Sequence, residues 1–192
     1  MKTVLLKPFE VYSEKKLLII GTIVTILGSL SASYFNVRYD GAIDLHFVNN
    51  TTLYQPFIDN IINIISLCIP LFIVGKIINN KTRIIDIITV ILISRIPFYI
   101  ISLFNINNIV FNASKKLISI NPAEKIAQIK NIEWFIIIMS AILTITALIW
   151  FISLLFNGYK IATNAKGGKS IFLFVISIII AEIISKIILV NI

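Results

Sequence analysis

Five long apolar runs divide the chain, at roughly 17–35, 57–78, 84–104, 134–156 and 170–190. About 20 consecutive apolar residues wound as an α-helix span the ~30 Å hydrocarbon core of a bilayer. The pattern therefore predicts an all-α membrane protein, a bundle of five transmembrane helices forming a single membrane domain over 1–192. The first run is the least apolar, because Ser29, Ser31 and Ser33 interrupt its end. Leu17 to Gly28 followed by these small residues also has the look of a signal-peptide core and cleavage site. The long preceding segment with Glu10 and Glu14 favours a retained helix instead.

The connections differ in kind. Residues 36–56 form a polar loop ending at Pro56, and 79–83 form a short turn that makes spans two and three an antiparallel hairpin. Residues 105–133 are a longer connection with an Asn-rich start and lysines around Asn121-Pro122, while 157–169 carry Gly158, Gly167 and Gly168. Residues 1–16 read as a cytoplasmic amphipathic segment.

Composition agrees with a lipid-solvated chain. Hydrophobic residues make up 58% and charged residues 14%, against about 25% charged in an ordinary soluble domain. The net charge of +8 would raise nucleic-acid binding in a soluble protein. Here the basic residues concentrate between the apolar runs, which reads as topology control and contact with anionic lipid, with no nucleic-acid partner expected. Ten basic residues fall on the side of the N-terminus and five on the other (Arg38, Lys115, Lys116, Lys125 and Lys130), which predicts a cytoplasmic N-terminus and an outside C-terminus. The lysines of 105–133 are discordant with that orientation. They predict either an amphipathic stretch on the outer interface or a re-entrant turn. Cys68 is the sole cysteine, so no disulfide forms within the chain.

Wound at 100° per residue, each span gathers small or polar residues on one side. The stripes are Gly21, Thr25, Gly28 and Ala32; Asp59, Asn63, Ser66 and Pro70; Arg95, Tyr99 and Ser102; Glu133, Ser140, Thr144 and Ala147; and Glu182 with Lys186. Small residues let helices approach closely and polar ones bond across helices, so the stripes predict a shared interior. Charge inside a span is costly, at about 2.5–3.5 kcal/mol per ionised group near a helix centre. Asp59, Asn63, Arg95, Glu182 and Lys186 are therefore the intramembrane polar candidates. Two arrangements satisfy them. In one, Arg95 meets Glu182 inside the bundle, with Asp59 and Asn63 lining the same region. In the other, Glu182 satisfies Lys186 alone and Arg95 finds backbone carbonyls. Asp86, opposite Arg95 on its helix, stabilises a helix N-terminus.

Catalytic and cofactor motifs are weak. Asn164-Ala-Lys-Gly-Gly-Lys-Ser170 resembles a phosphate-binding loop, but Thr163 stands where a glycine is required and no strand precedes it. Asp40, Asp44 and His46 offer two carboxylates and an imidazole, with no second His and no Cys near, so they read as a structural loop group. No Ser–His or Cys–His dyad or glycine-rich dinucleotide signature occurs. No catalytic residue, cofactor or metal is expected.

Three local stretches add to the five-span pattern: Leu6-Lys7-Pro8-Phe9; Asp40-Gly41-Ala42-Ile43-Asp44-Leu45-His46-Phe47; and Asn157-Gly158-Tyr159-Lys160 followed by Asn164-Ala165-Lys166-Gly167. Together they resemble the Yip1 family of small membrane proteins, in particular bacterial, Bacteroidetes-type members. The resemblance implies five spans, a cytoplasmic N-terminus and residence in a bacterial inner membrane. The Asp-Leu-Tyr-Gly-Pro motif of the eukaryotic branch is absent, so its GTPase partners are not implied. The expected function is a non-enzymatic multi-pass protein organising the lipid bilayer, membrane protein partners or copies of itself. The alternative is a small transporter or channel subunit with a polar path along Asp59, Asn63, Arg95 and Glu182.

Overall fold

The structure, a computed structural model, describes residues 5–120 and 128–192. The lysine-bearing stretch around Asn121-Pro122 lies outside the described residues. Among those described, five helices are long and apolar enough to cross a membrane. A short helix α1 (Pro8–Val11) precedes α2 (Glu14–Tyr34), which is the first span. The second span is α3 (Gln55–Ile78). The third is α4 (Ile84–Ser94) continued by α5 (Ile96–Ser102). After α6 (Ile109–Ser119) come α7 (Asn131–Thr163) and α8 (Gly167–Leu189), the fourth and fifth spans.

All five apolar runs thus become helices. Two differences have physical causes. The third span is broken at Arg95, because Pro97 in the first turn of α5 has no N–H to continue the ladder. The fourth helix begins at Asn131 and continues to Thr163, past the apolar run's end, because Asn157 to Thr163 contain no helix breaker other than Gly158. At 33 residues it is about 50 Å long, so it must tilt or overrun a ~30 Å hydrocarbon layer.

The third span is the centre of the bundle, with 67% of its apolar window buried against 11% for α7. Both α2 and α7 pack on α4 and α5, α3 packs on α4, and α8 lies mainly against α3. The small stripe of α2 explains its close approach. A Cβ on Gly21 would stand 2.7 Å from Leu92 Cβ, and one on Gly28 would collide with the Tyr99 ring. The opposite faces carry isoleucine. On α3, Ile61, Ile65, Ile69 and Ile73 recur every fourth residue and are exposed, as a lipid-facing side requires.

The 105–133 connection resolves, over its described part, into an amphipathic helix. Asn107 and Asn108 adopt left-handed φ of 53° and 57°, a conformation Asn tolerates better than most residues. Buried Asn105 accepts from the backbone N–H groups of Val110 (3.2 Å) and Phe111 (3.1 Å), two otherwise orphaned donors at the start of α6. Helix α6 then packs along α7, with Lys116 Nζ 2.7 Å from Glu133. The Asn-rich start is a helix entry, and Glu133 serves Lys116 rather than the bundle interior.

At the other end, Arg83 bridges Asp86 and Glu14. Asp86 thereby joins the turn to the start of α2, in addition to its place in a first helical turn. Residues 5–11 run beside α7, where Trp150 and Asn157 donate to the carbonyls of Leu5 and Leu6.

A candidate polar site where the first loop enters the bundle

The loop after α2 does not stay outside the helices. Asn36 turns the chain with φ 55° into β1 (Val37–Arg38), which pairs antiparallel with β2 (His46–Phe47). The residues between the strands dip inward, and Tyr39 and Ala42 are fully buried. A buried loop carries backbone polar groups that need partners. The stripe residues of the spans supply them.

Asp59, on α3, is the first. It receives Arg38 Nε at 2.7 Å and Nη2 at 2.8 Å, and also the Tyr39 N–H at 3.1 Å. This two-pronged fork is the stronger class of charged hydrogen bond. It raises the pKa of Arg38 above its ordinary value, the hydrogen bond to Asp59 being the chief cause. One turn on, Asn63 Nδ2 donates to the Tyr39 carbonyl at 2.6 Å. Burial pushes the Tyr39 phenol up, so it stays protonated, and it donates to Gly28 O at 3.3 Å.

Arg95 sits at the break in the third span and is fully buried. Its Nε donates to Asn60 Oδ1 at 3.2 Å and its Nη1 to the Ala42 carbonyl at 2.9 Å. Among the described residues its Nη2 has no hydrogen-bond partner. The guanidinium lies 5.6 Å from the Tyr39 ring centre and 5.8 Å from that of Phe98, within cation–π range. Asn60 is the hub of this group, since it also accepts from Tyr99 OH (3.2 Å) and donates to Ser29 Oγ (2.8 Å).

On α8, Glu182 accepts from the Ile43 N–H at 2.9 Å, and Ser185 Oγ accepts from the Ala42 N–H at 2.9 Å. Lys186 Nζ lies 2.8 Å from Asp44 and 3.5 Å from Glu182. The loop is therefore gripped from both sides, by α3 and the third span on one and by α8 on the other. Gly41 is essential to the fit. A Cβ there would stand 2.6 Å from Glu182 Oε1 and 2.9 Å from Oε2.

Of the two arrangements the sequence allows, the direct Arg95–Glu182 ion pair does not form. The loop passes between the two, and each bonds its backbone, Arg95 at the Ala42 carbonyl and Glu182 at the Ile43 N–H. The alternative arrangement is nearer the structure, since Arg95 does find a carbonyl and Glu182 does approach Lys186. Asp59, Asn63 and Arg95 converge on the loop. Lys186 stays at the rim with its side chain 45% exposed. Sequence reasoning passed over Asn60, Tyr39, Arg38 and Ser185. Asn60 is adjacent to Asp59 and falls one position off the stripe, and the other three engage a loop whose inward path no periodicity encodes.

At the mouth, His46 Nδ1 lies 2.6 Å from Asp40. That hydrogen bond raises the His46 pKa, with burial opposing it. Ligand atoms of Asp40, Asp44 and His46 lie within 4.8 Å of one another. The Lys186 ammonium holds Asp44, and Asp40 holds His46. Around the loop four carboxylates (Asp40, Asp44, Asp59, Glu182) face three permanent cations (Arg38, Arg95, Lys186), with the His46 imidazole against Asp40.

Comparison with protein-family models, with curated proteins and with solved structures finds no match.

Proposed function

We propose that this chain is a non-enzymatic membrane protein that organises lipids or partner proteins around a closed helical bundle. One observation carries the reading. Of the residues that would line a polar path, Asp59, Asn63 and Arg95 are fully buried, Glu182 is 18% exposed, and all four are bonded to the protein's own loop. A conducting path needs these groups to meet water or a permeant, whereas here the loop fills the space between the helices. An orientation with the N-terminus in the cytoplasm of a bacterial cell, and kinship with the Yip1 family, fit the charge bias and the three local stretches. Both belong to the proposal.

The test uses Cys68→Ala protein carrying Asn63→Cys or, as a control at an exposed loop position, Thr52→Cys, reconstituted in liposomes. A membrane-impermeant maleimide should label position 52 and leave position 63 unmodified, and the proteoliposomes should show no ion flux above empty vesicles. Rapid labelling at 63 together with flux would replace this reading with the transporter.

A further inference from the structure

A crevice of about 700 Å³ opens between the first-loop hairpin, α6 and the first half of the apolar run of α7. That volume lies in the range of sites that hold small organic ligands, about 300–1,000 Å³. Its walls are largely aliphatic and aromatic, with Leu45, Val110, Phe111, Ile118, Ile137 and Ile145 foremost. The two hydroxyls on its α7 wall are already committed. Ser140 Oγ donates to Ile137 O at 2.8 Å and Thr144 Oγ1 to Ser140 O at 2.9 Å, so neither adds an unsatisfied donor to the wall. The rim is basic. Lys115 is exposed beside Phe111 and makes no ion pair among the described residues, unlike its neighbour Lys116, which is held by Glu133. His46 stands on the same rim with Nδ1 fixed by Asp40.

We propose that this crevice binds an anionic phospholipid, with one acyl chain between α6 and α7 and the phosphate at Lys115, beside the rim imidazole of His46. The α7 wall of the crevice belongs to an uncharged stretch running from Trp134 to Tyr159. In a bilayer the medium bathing that wall is hydrocarbon, so a lipid chain is the occupant at hand. A basic residue next to an apolar slot then selects the headgroup. The proposal names the lipid class for the membrane-organising reading and rests on it.

Native mass spectrometry of the full-length protein in detergent, titrated with phosphatidylglycerol or phosphatidylcholine of the same chains, tests the site. One phosphatidylglycerol should remain bound in preference to phosphatidylcholine. Lys115→Gln should cut that preference about 5-fold, the equivalent of about 1 kcal/mol for one basic residue at a lipid surface. Ala141→Trp, which fills the crevice from an exposed position, should abolish retention of both lipids. Ile149→Trp, on the exposed face outside the crevice, should leave it unchanged. Equal binding of the two lipids, or undiminished binding by Ala141→Trp, overturns the proposal. So does a lipid-free wild-type dimer that Ala141→Trp dissociates, which would make the crevice a self-association groove. Lys115→Gln changes only an exposed side chain and keeps the test decisive if the tryptophan variant does not fold. The maleimide experiment at position 63 reads the bundle interior alone, so failure of the lipid site and failure of the organising reading are told apart.

Discussion

Gly41 offers the most direct test of the loop's seat. No left-handed backbone is needed there, since Gly167 is the only glycine of positive φ among the described residues. The cost of Gly41→Ala is therefore steric. The new Cβ would lie 2.6 Å from Glu182 Oε1 and 3.0 Å from Asp44 Cβ. Overpacking of this kind costs about 1–3 kcal/mol. Moving the Glu182 carboxylate away from the Ile43 N–H loses a charged hydrogen bond, about 1.5–3 kcal/mol more. The sum is about 2.5–6 kcal/mol. At about 2–4 °C per kcal/mol for a chain of this size, the melting temperature should fall by at least ~5 °C. Glu182→Ala alone should also destabilise, because it orphans the Ile43 N–H. In the Glu182→Ala background the added methyl meets no carboxylate, so Gly41→Ala should then cost only its residual contact with Asp44. Thermal unfolding of the four proteins in one detergent, followed by intrinsic fluorescence, gives the cycle. A coupling of about 1 kcal/mol or more is expected for groups in direct contact. Additive losses, within ~0.5 kcal/mol, would refute the seat of Gly41 against Glu182.

Two further outcomes follow from the same site. Arg95→Lys keeps the charge but loses the planar fork that reaches Asn60 and Ala42 together, so it should destabilise by about 1.5–3 kcal/mol in the same melting assay, the value of a charged hydrogen bond; Arg95→Met, which removes the buried charge while keeping bulk, should be tolerated better than Lys. His46 has a folded pKa raised by Asp40, so the Asp40–His46 pair contributes in full below the unfolded pKa of about 6.5 and is lost as pH rises through the higher folded value; melting temperatures of wild type and His46→Gln should therefore differ most at pH 6 and converge in mildly alkaline buffer.

The spans were legible because lipid imposes one strong rule, that a crossing segment be long, apolar and helical. Burial of Asp59, Asn63, Ser66 and Pro70 on one side of α3, and of Arg95, Tyr99 and Ser102 on the third span, also followed from periodicity. The pairing did not. Arg95 and Glu182 carry opposite charges at compatible depths, and helix-wheel reasoning joins such residues directly. It has no means of anticipating that a loop will descend between them and offer each the matching end of its backbone. The loop's short strands and Gly-containing turn are ordinary surface features by composition. Buried Val37, Tyr39, Ala42 and Leu45 alternate irregularly with partly exposed Ile43, Phe47 and Val48, so apolar character in this segment does not mark which residues turn inward. The break at Pro97 was written in the sequence, but prolines are tolerated in membrane helices when neighbours re-satisfy the backbone, and Pro70 sits in an unbroken α3.

The direction of these contacts along the chain sets an order for assembly. The loop and α3 groups that receive Arg95 (Tyr39, Ala42 and Asn60) precede it, so they have all left the ribosome before the third span does. The costly guanidinium need not wait in lipid for a later helix. By contrast, the Ala42 and Ile43 N–H groups find their acceptors in Ser185 and Glu182 on α8, which is made after the four other spans. Until α8 arrives, the loop has one side seated and two donors open. Helix α8 is a clasp that closes on a loop already seated against α3 and the third span, and a chain cut before Gly167 would leave that clasp undone.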